Sequence, residues 1–170
     1  LSGRTYGTLE LSSLAAGGSK SYLSNGITTA NIRGDFSIRT GVNYSLDFTG
    51  DLIVLGSLYI NGNFNLAAAP NNNIIKIRQH LHCAGNITES STGIPIIELN
   101  GTVNQDIFIP GNMLNSVILR MNNPSGATLL SAVSLPYKLE LLNGKLTTTS
   151  FFLLTLQPNC TIQADSTRNN

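Results

Sequence analysis

The chain has 170 residues, of which 41% are apolar and 11% charged, and its formal net charge is +1. This apolar fraction argues against a disordered chain, and the length suffices for one domain with a core or for a row of stacked repeats. The sparse, scattered charge gives no basic patch for nucleic acid, and no apolar run reaches the ~18 residues of a membrane-spanning helix.

From its first residues, "LSGRTYGTLELSS", the chain alternates apolar residues with Ser, Thr, Gly and Asn. Helix-favouring surface residues are scarce for a chain of this size, whereas the neutral polar residues suit short strands with uncharged outer faces. We therefore predict an all-β protein.

One phrase recurs along the chain. It reads apolar-x-apolar, then a gap that contains Gly, then another apolar residue, and its copies follow one another at about 16 to 23 residues, which is typical of a solenoid. The copies are "FSIRTGV" at Phe36–Val42, "LYINGNF" at Leu58–Phe64, "LHCAGNI" at Leu81–Ile87, "IELNGTV" at Ile97–Val103 and "LELLNGKL" at Leu139–Leu146, with looser versions at Leu119–Leu129 and Leu154–Ile162.

The alternation keeps its phase across the Asn61-Gly62 step. Leu58, Ile60 and Phe64 fall on one face, although Asn-Gly between alternating runs is also the usual signal for a hairpin. A preserved phase favours a corner at which the chain keeps winding, and Gly and Asn tolerate the left-handed backbone that a bend can need. Asn side chains stacked at equivalent corners can also hydrogen-bond up and down the stack. The same phase predicts five inward residues in the preceding copy: Phe36, Ile38, Val42, Tyr44 and Leu46.

We predict a right-handed parallel β-helix of about seven or eight coils, formed by residues 1–170 as a single domain. Each repeat is too small to bury its apolar face alone, so stacked coils share one core. The alternative is an antiparallel β-sandwich, whose short strands also recur with turn signals.

The chain resembles the β-helix regions of large secreted and surface proteins of Bacteroidetes, many of them adhesin-like and exported by the type IX route. The resemblance rests on "RTYGTLELSS", "IRGDFSIRTGVNYSL", "GDLIVLGSLYINGNFNL" and, above all, "PYKLELLNGKLTTTSFFLLTLQPNCTI". It implies an extracellular or cell-surface setting and a fragment of a longer exported protein, and it brings no catalytic residues. "DST" at Asp165–Thr167 fits the short motif that these bacteria O-glycosylate, although a polar loop is the favoured explanation of so short a match.

The stretch "KIRQHLHC" is the most distinctive candidate for binding. Its outward residues form a basic stripe that could meet acidic glycans and would gain charge as pH falls through the histidine range. Tyr59 is an outward aromatic residue that could add to a glycan site. Cys83 has the opposite phase and Gln79 interrupts the pattern near an expected corner, so a zinc site is not expected. The candidate glycan-binding residues are Tyr59, Lys76, Arg78, His80 and His82.

We expect no catalytic residues, metal or cofactor. Polysaccharide lyases and hydrolases need clustered carboxylates, and the acids here form no adjacent motif, with Asp47 and Asp51 the nearest pair. Cys83 and Cys160 lie about three to four coils apart, roughly 15 Å at the usual strand spacing, and are therefore expected to be unpaired, buried residues.

These features predict a structural or adhesive extracellular module, a rigid β-helical stalk or spacer. Its expected partners are flanking repeats of the same polypeptide or another subunit at the ends of the solenoid, and extracellular glycans along its sides. A carbohydrate-binding module is the second hypothesis and a polysaccharide lyase or hydrolase the third.

Overall fold

The computed structural model describes residues 1–13 and 17–164, and these residues form twenty-two short strands and no helix. Every strand pair within them is parallel, which excludes the antiparallel sandwich. The first eleven strands are β1 (Thr5–Tyr6), β2 (Leu9–Leu11), β3 (Lys20–Gly26), β4 (Ala30–Ile32), β5 (Phe36–Ile38), β6 (Val42–Phe48), β7 (Leu52–Val54), β8 (Leu58–Ile60), β9 (Asn63–Asn65), β10 (Ile74–Ile77) and β11 (Leu81–Cys83). The others are β12 (Asn86–Thr88), β13 (Ile96–Leu99), β14 (Gln105–Phe108), β15 (Asn112–Met113), β16 (Ile118–Asn122), β17 (Ala127–Leu129), β18 (Val133–Leu135), β19 (Lys138–Asn143), β20 (Leu146–Thr147), β21 (Leu154–Leu156) and β22 (Thr161–Ala164).

Three consecutive strands make one coil, and the described residues form seven such coils followed by the first strand of an eighth. Each strand pairs with the strand three places along the chain, except that β15 and β18 are not paired with each other, so the coils stack into parallel sheets. The first sheet has the order β1-β4-β7-β10-β13-β16-β19-β22, the second β2-β5-β8-β11-β14-β17-β20, the third β15-β12-β9-β6-β3 and the fourth β18-β21. The predicted β-solenoid is therefore confirmed. Asp165–Thr167 lies outside the described residues.

The core consists of the residues that the alternation predicts to face inward. Leu58, Ile60 and Phe64 are fully buried, as are Phe36 and its inward neighbours one coil earlier. Because equivalent residues lie above one another in register, each apolar side chain packs against those of the coils on either side. Exposed Val103 is the exception in the quoted phrases, since 61% of its surface is accessible although the phrase predicts it to be inward.

Three aromatic side chains fill one level of this core. The rings of Tyr44 and Phe64 stack at 5.1 Å between centroids, and Phe36 meets Tyr44 edge-on at 5.6 Å. The buried Tyr44 hydroxyl lies 3.0 Å from Ser24 Oγ, which satisfies its polar end. Burial raises the pKa of Tyr44, so the phenol is neutral at any physiological pH.

Asn61-Gly62 is a corner between β8 and β9, as predicted, but the reason for its glycine differs from the expected one. Gly62 and its equivalents Gly85 and Gly111 have ordinary negative φ, unlike Gly41, with φ +80°, and Gly144, with φ +85°. A Cβ on Gly85 would overlap the carbonyl oxygen of Gly62, and one on Gly111 would overlap that of Gly85. These corners therefore need glycine because successive coils approach closely there.

The quoted phrases belong to two different corners. "LYINGNF" and "LHCAGNI" run from the second sheet to the third, and their first residues Leu58 and Leu81 are paired. "IELNGTV" and "LELLNGKL" begin instead on the first sheet, where Ile97 pairs with Ile75. Aligning all the phrases as copies of one corner was therefore wrong. The two corners look alike in the sequence because both use glycine and asparagine between apolar strands.

Candidate functional site

The five predicted site residues lie on two sheets and on the corner that joins them. Lys76 is on β10 in the first sheet, and His82 on β11 and Tyr59 on β8 are in the second. Arg78 and His80 occupy the connection from β10 to β11, and Arg78 is exposed. All five point outward, as their phase predicts, but a corner divides the stripe that was expected on one face. Gln79 lies at this corner, as expected, and its carbonyl accepts a hydrogen bond from Gln105 Nε2.

Lys76 belongs to a row of paired charges on the outer surface of the first sheet, which we call the charged row. Lys76 Nζ lies 2.7 Å from Asp51 Oδ2, while Arg120 bridges Glu98 at 3.1 Å and Glu140 at 2.7 Å. The members of the charged row are Asp51, Lys76, Glu98, Arg120, Lys138 and Glu140. The three acids of the row are paired with its three bases. Lys76 is therefore not an unpaired cation that could bind an acidic glycan.

The half of the charged row at Arg120 is well shielded from water, with 18% of the Arg120 side chain and 9% of Glu140 exposed. Partial burial alone would raise the pKa of Glu140, but hydrogen bonds from Lys138 and Arg120 outweigh it and lower that pKa. Glu140 is therefore ionised at neutral pH and holds both cations in place.

His80 is held by the next coil. The backbone N–H of Asp106 donates to His80 Nδ1 at 2.9 Å, and the Asp106 carboxylate lies 3.3 Å from the same nitrogen. His80 thus contacts the next coil through both the backbone and the carboxylate of Asp106.

Tyr59, His82 and Phe108 form an outward column on three successive coils, which we call the aromatic column. The rings of Tyr59 and His82 stack at 5.1 Å, and Phe108 tilts against His82 at 6.0 Å. Burial and nearby His80 lower the pKa of His82, while Asp106 opposes them. Because His82 is covered by a neighbour on each side, its ring has no free face on which a sugar could stack.

The third sheet carries a row of asparagine side chains that hydrogen-bond from coil to coil, as expected for asparagines stacked near equivalent corners, and we call this row the amide ladder. Asn63 Nδ2 donates to Asn43 Oδ1 at 2.6 Å, Asn86 Nδ2 to Asn63 Oδ1 at 2.7 Å, and Asn112 Nδ2 to Asn86 Oδ1 at 2.9 Å. The fourth amide, Asn43, donates to Ser19 Oγ at 3.2 Å. The Asn that follows the corner glycine in "LYINGNF" and "LHCAGNI" was the available signal.

The interior also contains a polar pair at the corner between the first and second sheets. Gln105 and Asn123 are fully buried, and Asn123 Nδ2 donates to Gln105 Oε1 at 2.9 Å. Gln105 Nε2 also donates to the carbonyl of Ile77, at 3.0 Å. Their polar groups satisfy backbone atoms of neighbouring coils, so their role is structural.

Most of the remaining acids are engaged in local contacts. Glu10 pairs with Arg39 at 2.7 Å, and Asp35 accepts the backbone N–H of Ser57 at 2.8 Å. Glu89 is buried and accepts the backbone N–H of Ser91 at 2.9 Å. Within residues 1–13 and 17–164, no three His, Cys, Asp or Glu side chains come together as a metal site.

Both cysteines are free. Cys83 is fully buried, which raises the pKa of its thiol to about 12, whereas Cys160 is only partly buried at the edge of the core. The expectation of two unpaired cysteines is confirmed, and that of burial holds fully for Cys83 only.

The described part of the chain has no helix that is long and apolar enough to cross a bilayer. Comparisons with protein-family models, with curated proteins and with solved structures give no match.

Proposed function

We propose that this protein is a rigid spacer, a stalk region of a longer adhesin-like protein that is exported to the cell surface. The observation that carries this proposal is the stack of coils around one core, in which the first sheet runs through all the coils and the second through the seven complete ones. Neighbouring complete coils are joined by parallel strand pairs on at least two of their three sides, so bending would require many hydrogen bonds and core contacts to break together. Such a stack holds its two ends at a fixed distance.

The partners proposed for the two ends are flanking coils of the same polypeptide or another subunit. At the last described coil, 85% of Phe151, 55% of Leu153 and 54% of Ile162 are exposed. The outer edge of β22 lacks a strand partner among the described residues. An open parallel edge beside exposed apolar side chains favours addition of a further coil.

An extracellular or cell-surface location is part of the proposal. Its support is the resemblance of the repeat phrases together with a surface on which charged residues are few. The buried Cys83 thiol, with its raised pKa, is a poor nucleophile and is compatible with an oxidising exterior. Protease accessibility on intact cells tests this location, and a protein found only inside the cell would contradict it.

We do not assign catalysis to this chain, because the acids described above serve ion pairs and backbone hydrogen bonds. Carbohydrate binding by Tyr59, Lys76, Arg78, His80 and His82 as one site is likewise less favoured than the spacer function. Lys76 is paired, His80 accepts a backbone hydrogen bond, and the ring of His82 is covered.

The spacer function is tested by placing the chain between two compact marker domains with short stiff joints and measuring their separation by small-angle X-ray scattering. The expected result is one fixed separation that does not change with salt. As a matched control, a Gly/Ser linker of equal length should give a broad range of separations. A broad range for the protein itself would contradict the proposal.

A further inference from the structure

We propose that the amide ladder is a binding surface for a neutral polysaccharide chain lying along the axis of the solenoid. This inference does not rest on the spacer function. It concerns the outer face of the third sheet, away from the aromatic column and the charged row.

The amides of the ladder have hydrogen-bonding capacity left over. A carboxamide has two N–H donors and an oxygen with two acceptor positions. Asn63 uses one donor toward Asn43 and one acceptor position for Asn86, and Asn86 repeats this arrangement one coil further along. Each of these two amides therefore offers one donor and one acceptor to solvent.

The side chains of the ladder and of the column beside it are uncharged, and the nearest acid on the same strands is Asp47, further along β6. A second outward column runs beside it, two residues further along the same strands, and consists of Ser45, Asn65 and Thr88. An uncharged array of donors and acceptors matches hydroxyl groups, which also donate and accept. Nucleic acid and acidic polysaccharides would call instead for unpaired cations.

The spacing of the ladder favours a polymer over a small sugar. Its rungs repeat at about 4.8 Å, the distance between neighbouring strands, because they follow the pairing of β6, β9, β12 and β15. An extended pyranose chain advances by a similar distance per sugar, so successive sugars can meet successive rungs.

The ladder is also ordered before any ligand arrives. Hydrogen bonds between the amides fix the side chains of all four rungs, so binding costs little side-chain entropy. In water, each exposed amide–amide bond adds only a modest amount to stability, about 1 kcal/mol or less. The stability that these hydrogen bonds add is therefore a weak explanation for the recurrence of Asn at this position on four successive coils.

The test is affinity electrophoresis of the whole chain in gels that contain xyloglucan, glucomannan or soluble β-glucan, with alginate and polygalacturonate as acidic controls. We expect retardation in at least one neutral gel, and the same retardation at high salt. Asn63→Leu/Asn86→Leu should weaken binding about tenfold or more, since it removes two rungs. Asn86→Asp, which keeps the size of the side chain but removes its donors, should weaken it as well.

Tyr59→Ala and Lys76→Gln are the matched controls and should bind as the unmodified protein does, because they lie on the second and first sheets. Circular dichroism establishes that each variant is folded. Absence of retardation in every neutral gel would overturn the proposal, as would unchanged binding by folded Asn63→Leu/Asn86→Leu and Asn86→Asp. Retardation only in the acidic gels, abolished by salt, would overturn it too.

Discussion

At the corner between β11 and β12, Gly85 lies against the carbonyl of Gly62, with Gly111 in the same relation to Gly85 on the next coil. These residues let the coils stack at strand spacing where the chain changes direction. The sequence indicated a corner at Gly62 and at Gly85 but not its cause. The close approach depends on residues that are a whole coil apart in the sequence, so the local pattern does not reveal it. A left-handed backbone conformation would instead have been a local property of the corner.

Gly85→Ala should destabilise the protein by about 2–3 kcal/mol, because the added methyl group must push two coils apart. Gly7→Ala is the matched control, since a Cβ there meets nothing within 4 Å. Urea unfolding of both variants measures the difference. Equal stability of the two variants would show that the corner has room for a side chain.

His82 should make stability depend on pH. Its pKa is lowered in the folded protein, so the unfolded chain takes up the proton first as pH falls. The contribution is fully present above the ordinary histidine value of 6.5 and is lost as pH falls through the lower pKa of the folded state. His82→Phe keeps a ring between Tyr59 and Phe108 but cannot titrate.

The free energy of unfolding, measured from pH 7.5 to 5, should therefore fall more steeply for the unmodified protein than for His82→Phe. His80 is present in both proteins, so the difference between the two curves reports His82 together with its coupling to His80. Parallel curves would contradict the lowered pKa.

At the scale of the strand, alternation was the part of the fold that the sequence revealed best. Leu58 and Ile60 face the core and Tyr59 faces outward, as the period of two predicts. Pairing between strands was harder to predict, because the loops between coils differ in length. The steps of the amide ladder are 20, 23 and 26 residues. The charged row depends on that register and was missed, whereas hydrogen bonds between stacked asparagines were expected without the register that aligns them.

Phe64→Ala should cost about 3–5 kcal/mol of stability, because it leaves a cavity between Phe36 and Tyr44. Tyr59→Ala, the outward control on the neighbouring strand, should cost only about 0.5–1.5 kcal/mol through lost stacking on His82. Thermal or urea unfolding distinguishes the two. A larger loss for Tyr59→Ala would mean that inward and outward faces are reversed.

At the scale of the whole molecule, the solenoid separates two kinds of surface. The sides are covered by paired charges, stacked rings and hydrogen-bonded amides, whereas the last coil exposes apolar residues such as Phe151 and Leu153. Growth along the axis is thereby favoured. Composition predicted the neutral sides, but only the three-dimensional stacking shows which side chains are already engaged.

The most direct test of this account is a distance measured along the stack. Spin labels at Asn31 on β4 and Gln163 on β22, in a chain with Cys83→Ala and Cys160→Ser, are separated by six steps of the first sheet. At about 4.8 Å per step, pulsed electron paramagnetic resonance should give one narrow distribution centred near about 29 Å. A broad distribution, or one centred far from that distance, would contradict the rigid stack of coils on which the proposed function depends.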